Sequence, residues 1–524
     1  MFYYGSKYGR KMDNQSRNPS AGAWAIASGW VLASIGLPIV VWTPRVVQPS
    51  TAALLVILLS YSGVHLGKII LEDRPRPGSA MFWFFVYVSS AVAPVAQAHT
   101  GIYQYFKGME FLNPALVIVL IAAISFDLGG WIGSQRPEAR VENLARMRML
   151  APDRIKILSI ASVPLTLYYI VTVGGPAVFF RSRDDLAMGF VAAGLRDGSQ
   201  VGSVLLLTAG QIPILISLVA WLIYYRQNPT EWTLGTRVGL LILLLLNIIV
   251  NNPISNARYW FLTVAIGCLY SLGKMRPWTH RLLIILAVLA ALIIFPYSDF
   301  FRATSADRGP LQIRSVAYML SIKDFDQITM TGNGVWYVHT HGYALGHQFL
   351  GLLLFWVPRS AWPNKPLDTG VLLGQQLITD GAGTTNLSSP MWIEFFIDGS
   401  YLAVFAGFVL FGFGIARLDS YYQALIAMRE RSACLHVLLL PFLAGFSLIL
   451  LRGPLLQATA RLFVLLLVTF IVSRRPELQE PEPERLSARR WAGEAVGAAG
   501  RSGSRIALSH SVRISLGSDS SQKY

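Results

Sequence analysis

Apolar residues in this chain gather into repeated runs of about 17–25, the length a helix needs to cross a bilayer core. Twelve such runs can be placed, near 22–42, 51–71, 80–98, 112–134, 157–174, 201–225, 237–251, 257–273, 282–296, 397–416, 433–451 and 455–473. At 524 residues a soluble chain would divide into roughly two to four domains. It would also carry about 25% charged residues, against 14% here with a mean hydropathy of +0.48. Soluble, disordered, fibrous and disulfide-scaffold classes are thereby excluded. The expected fold class is all-α, a polytopic membrane protein of about twelve transmembrane helices. The first run is too long for a signal-peptide core and lacks a convincing cleavage site, so it reads as a retained span after a cytoplasmic segment 1–21. Cys268 and Cys434 both lie in apolar runs and imply no disulfide framework.

The net charge of +16 acquires meaning from its distribution. With the N-terminus in the cytoplasm and the runs alternating, 30 of the 44 Lys and Arg fall in cytoplasmic segments and 14 outside. That asymmetry is the positive-inside rule, and it holds at nearly every short loop. The charge therefore reports orientation, with some attraction to anionic lipid, rather than nucleic-acid binding. Both termini are expected in the cytoplasm. The integral domain covers 22–473, and the Pro-, Glu-, Gly- and Arg-rich tail 474–524 reads as disordered because it cannot bury enough apolar surface.

One connection breaks the short-loop pattern. About a hundred residues, 297–396, face outside, and unstructured loops of that size are usually functional. Its stretch 343–358 is apolar but too short to span, which suits a re-entrant or interfacial helix. A second outer loop, 175–200, carries Arg181 and Arg183 beside two aromatics.

Outer arginines run against the orienting bias. Arg258 opens the eighth run in NNPISNARYWFL; Arg302, Arg308 and Arg314 follow the ninth; Arg359 and Lys365 sit in VPRSAWPNKPLDTG; Arg452 follows the eleventh. Guanidinium groups bind phosphate through paired, charge-assisted hydrogen bonds, and a ring of them at the outer interface suits a lipid diphosphate. The plainer reading is snorkelling, or ion pairs to outer acids such as Asp184, Asp299 and Asp307. Glu394 and Asp398, four residues apart, share one face if their segment is helical. A partly desolvated carboxylate there gains basicity for proton abstraction; the competing role is helix capping or pairing with arginine. Asp127, inside the fourth run, reads mainly as a structural pairing residue. His339, His341 and His347 have spacing that admits a metal, but no HExxH and no neighbouring cysteine accompany them. No metal or cofactor is expected, and His341 is kept as a secondary base. Trp336, Tyr337, Trp356, Trp362 and Trp392 divide between an interfacial belt and stacking platforms for sugars.

At these residues the chain resembles the bacterial oligosaccharide repeat-unit polymerases of the O-antigen polymerase (Wzy) type. The resemblance runs from about 240 to 415 and rests on four segments: NNPISNARYWFL, FPYSDFFRATSADRG, FWVPRSAWPNKPLDTG and SPMWIEFFIDGSYLAVFAGFVLFG. It implies a GT-C-like helical membrane enzyme of the bacterial plasma membrane, an inverting and metal-independent glycosyltransferase. Such an enzyme moves a growing glycan from one undecaprenyl diphosphate to another lipid-linked repeat unit. By that analogy Arg258, Arg302 and Arg359, supported by Arg181, Arg183 and Lys365, bind the donor diphosphate, and Glu394 deprotonates the acceptor. The GSYLAV segment departs from the more polar turn of the family, which bears on Asp398 more than on Glu394. Implied partners are the lipid-linked oligosaccharide, membrane lipids, a chain-length regulator and a flippase, with no nucleic acid. Two other readings share parts of this pattern. An O-antigen ligase uses the same donor, and a lipid-glycan flippase or transporter would place its polar chemistry at mid-membrane.

Overall fold

The structure, a computed structural model, describes residues 28–43, 47–135, 147–195, 200–297, 314–378, 387–427 and 433–475. Among the described residues it is almost entirely helical, with eight helices long and apolar enough to cross a membrane. These are α2 (Pro49–Leu71), α3 (Pro77–Thr100), α4 (Met109–Ser134), α5 (Pro152–Thr172), α7 (Ser203–Gln227), α10 (Pro277–Ile294), α14 (Met391–Ala427) and α15 (Leu435–Arg452). Shorter apolar helices are α1 (Ser28–Val41), α8 (Leu234–Val250) and α16 (Leu455–Ile471). The chain thus has the build of a polytopic membrane protein. Further helices include α6 (Arg183–Ala192), α9 (Arg258–Leu272), α11 (Gln327–His341), α12 (His347–Leu353) and α13 (Thr369–Leu377).

Local sequence explains the helix starts. Proline opens α2, α3, α5 and α10 at the first turn, where its missing N–H costs nothing. Small residues then let helices touch. A Cβ on Gly129 of α4 would sit 2.0 Å from the Val409 carbonyl oxygen of α14, and one on Gly412 would sit 2.1 Å from that of Phe126. Backbone-to-backbone approach of this kind drives association where lipid offers no hydrophobic advantage. Stacked rings of Phe82 and Phe126, 3.5 Å apart, tie α3 to the same seam.

The ends of the helices are stitched in two groups. One group joins a two-residue strand pair, Met149–Leu150 with Ser473–Arg474, to Cys434, with Arg148 and Arg154 both donating to the Ser473 carbonyl. Arg281 there donates to Asp73 and to the Leu71 carbonyl. The other group carries the long connection: the start of α9, the end of α15, the start of α16 and helices α11 to α13. The stretch 343–358 is less regular than a single interfacial helix. It contains the seven-residue α12 and then turns.

Helix α14 is broken. Gly399 has φ −157° and ψ 30°, and Ser400 has φ 66° and ψ −167°, a conformation rare outside glycine. The break separates 391–398, which carries both candidate acids, from the long run beyond Tyr401.

Candidate functional site

The polar insert between α8 and α9 is a self-satisfying turn. Asn251 accepts from Trp260 Nε1 at 2.8 Å and donates to Asn247 Oδ1 at 2.9 Å. Asn256 donates to the carbonyls of Val250 and Asn252, and Gln211 of α7 donates to Val250 and to Asn256. Asn252 accepts from the amides of Ile254 and Ser255. All five asparagine and glutamine side chains at this joint are buried, and together they pin backbone that would otherwise be left unpaired.

The turn delivers Arg258 to the first position of α9. A cation at a helix N-terminus opposes the macrodipole and calls for a counter-charge. Asp324 supplies it: Arg258 Nη1 and Arg452 Nη2 each lie 2.5 Å from one of its oxygens. Arg258 also lies over the Phe295 ring and Arg452 over Tyr259, so both guanidinium groups are held on aromatic faces. Beside them Asp326 accepts from Ser388 Oγ at 2.7 Å and from Gln327 Nε2 at 3.0 Å. Burial pushes its carboxyl up to about 6, against the opposing pull of Arg452 and Ser388.

Glu394 lies on the broken segment of α14, 8% exposed. Its Oε1 accepts from the Leu455 amide at 2.9 Å, the first residue of α16, where the helix dipole favours an anion. Asp368, also buried, is close enough for its charge to act on Glu394. Asp368 caps α13 through the Gly370 amide at 3.1 Å, and burial pushes its carboxyl up to about 7. Glu394 and Asp398 open onto one cleft with Gln348, Phe349, Pro366 and Thr369. Two chain segments join this cleft to the guanidinium pair. Ser388, which holds Asp326, leads into the Glu394 segment, and Arg452 is followed three residues later by Leu455.

The other residues singled out from sequence fall into distinct roles. Asp398 accepts from the amides of Gln348 and Phe349, both at 3.0 Å, and so caps α12. Arg359 donates to the carbonyls of Lys365 and Pro366, and Lys365 Nζ donates to those of Phe355 and Val357. These two cations close a loop whose Pro366 lines the cleft. His341 is exposed, stacked on Tyr337 at 4.5 Å, with Nδ1 2.7 Å from Thr340 Oγ1. His347 Nε2 faces the Asn364 carbonyl. Among the described residues no three His, Cys, Asp or Glu side chains form a metal-ligating group. Arg181 and Arg183 flank Ser182, which caps α6, in the packing group of Tyr169, Phe179 and Phe190. Arg302, with Arg308, Asp299 and Asp307, lies outside the described residues.

Sequence reasoning passed over Asp324, Asp326 and Asp368. The first two stand as D-F-D in an acid-poor chain, and Asp368 closes the VPRSAWPNKPLDTG segment, so each left a signal.

The fold and this layout define a helical, membrane-embedded protein in which Asp324, Lys365, Asp368, Glu394 and Asp398 are buried at the face of its long connection. Compared with protein-family models, with curated proteins and with solved structures, the chain matches none.

Proposed function

We propose that this protein polymerises lipid-linked oligosaccharide repeat units at the outer face of a bacterial plasma membrane. In this reading it crosses the membrane twelve times, with both termini cytoplasmic, in a GT-C-like arrangement. The observation that carries the proposal is one buried acid, Glu394, in a cleft whose lining residue Leu455 follows Arg452 of the Arg258–Asp324–Arg452 cluster by three residues. Glu394 accepts the proton of the acceptor hydroxyl. The acceptor oxygen then bonds to the anomeric carbon of the donor with inversion, while the bond from that carbon to the diphosphate oxygen breaks. Arg258 and Arg452 take up the negative charge that develops on the departing diphosphate. Asp324 holds both guanidinium groups in place before the donor arrives. Arg359 and Lys365 support this by shaping the loop, since their donors already serve backbone carbonyls.

The test is reconstitution of the full chain with undecaprenyl-diphosphate-linked repeat units and electrophoresis of the lipid-linked products. The wild-type chain should produce a ladder, and Glu394→Gln, Arg258→Ala and Arg452→Ala should leave single units. A wild-type chain that produces no ladder but transfers preformed polymer to another acceptor would make it a ligase instead. Retained ladders in all three variants would reject the assignment of the site.

A further inference from the structure

A second site lies at the opposite end of the helices. A cavity of about 670 Å³ opens between α2, α3, α4 and α14, within the size range of small-ligand pockets. Its wall is built around Asp127. Tyr61 donates to Asp127 Oδ2 at 3.3 Å, and His65 Nδ1 lies 3.6 Å from Oδ1. The His65 ring in turn stacks on Trp83, with centroids 4.3 Å apart and planes 20° from parallel. Asp127 lies seven residues, about 10 Å of helix rise, before the end of α4. An ionisable side chain at that depth is expensive unless it serves a cavity or a partner, yet this one is 49% exposed.

Several other charges around the cavity are committed to each other. Arg76 pairs with Glu72 at 2.7 Å, Asp73 pairs with Arg281, and Asp419 accepts from the amides of Gly78 and Ser79 at the start of α3. Lys68 lines the cavity one turn along α2 from His65, about 4.5 Å nearer the helix end, and Arg74 lies on the same rim. The cavity therefore offers an anion at depth, beside His65, and the Lys68 cation one turn nearer the helix end. Beside it the exposed surface is apolar: Ile57 and Val64 on α2, Ile124 and Leu128 on α4, with Trp131 at 60% exposure in the cavity lining.

We propose that this cavity binds the headgroup of a zwitterionic aminophospholipid, its ammonium at Asp127 and its phosphate at Lys68 and the rim. An aminoethyl phosphate bridges two opposite charges separated by about one turn, and the flanking apolar faces of α2 and α4 suit acyl chains. This site is independent of the chemistry proposed at Glu394.

The test uses the full chain in detergent, with bound lipids counted by native mass spectrometry. The probes are short-chain phosphatidylethanolamine, phosphatidylglycerol and soluble phosphoethanolamine. The phosphatidylethanolamine should bind about tenfold more tightly than the phosphatidylglycerol, the scale of one charge-assisted contact. Asp127→Asn should erase that preference, and Lys68→Ala, at an exposed position, should weaken both lipids. Equal affinity of the wild-type chain for the two lipids would overturn the proposal, whatever the variants do. So would phosphatidylethanolamine binding unchanged in both variants. Displacement of the lipid by an equal concentration of phosphoethanolamine would overturn the lipid assignment in favour of a soluble zwitterion.

Discussion

Arg258 is held at the start of α9 by Asp324, whose second oxygen engages Arg452 at the same 2.5 Å. One carboxylate thus pairs with two guanidinium groups from helices far apart in sequence. Removing it by Asp324→Ala leaves two partly buried cations together, and loss of one partner costs at most about 3–5 kcal/mol, the figure for a fully buried pair. Thermal unfolding in detergent should show that loss. Replacing Arg452 by Met in the same chain should recover part of it, since the remaining cation then has no like charge beside it.

The two acids of the broken α14 segment should separate by phenotype. Asp398→Ala removes the cap of α12 and should cost about 0.5–2 kcal/mol, with faster proteolysis near 347–353. Its product ladder should persist. Glu394→Gln keeps the shape of the side chain and removes the base, which should lower turnover by about 10²–10⁴ with little change in unfolding temperature.

Asp368 gives stability a pH dependence of definite sign. Its folded carboxyl is pushed up to about 7 by burial, above the ordinary carboxylate value near 3.9 in the unfolded chain. Between those values the folded state holds the proton and the unfolded state has lost it. Stability therefore falls as pH rises from about 4 to 7 and levels off above. Asp368→Asn should flatten that slope and raise stability at pH 8 relative to the wild-type chain, as measured by unfolding at a series of pH values.

The amide knot before α9 should matter to both stability and site. Asn251→Ala leaves Trp260 Nε1 without its acceptor in a buried position, at a cost of about 1–3 kcal/mol. Because the same turn sets the start of α9, the ladder should shorten as well. Full-length product from a destabilised variant would separate the turn from the placement of Arg258.

Much of the helical layout was legible because the constraint is local. A bilayer-length apolar run announces itself residue by residue, and the prolines at 49, 77, 152 and 277 mark where helices begin. The partner of each charge was not legible in this way. Arg258, Arg359 and Lys365 look alike in sequence as outer cations, yet one meets a carboxylate and two meet backbone carbonyls. Asp398 and Glu394 look alike as acids one turn apart. The break at Gly399–Ser400 brings the amides of α12 to Asp398, while the start of α16 reaches Glu394.

By itself, then, the sequence determined that this chain forms helices of membrane length. Burying polar backbone in hydrocarbon is so costly that apolar length and helix go together. Only the tertiary structure decided which charge meets which. Ion pairs and caps join residues such as Asp324 and Arg452, or Asp398 and Gln348, whose separation along the chain carries no periodic signal, and the packing of α9, α14, α15 and α16 sets their distances.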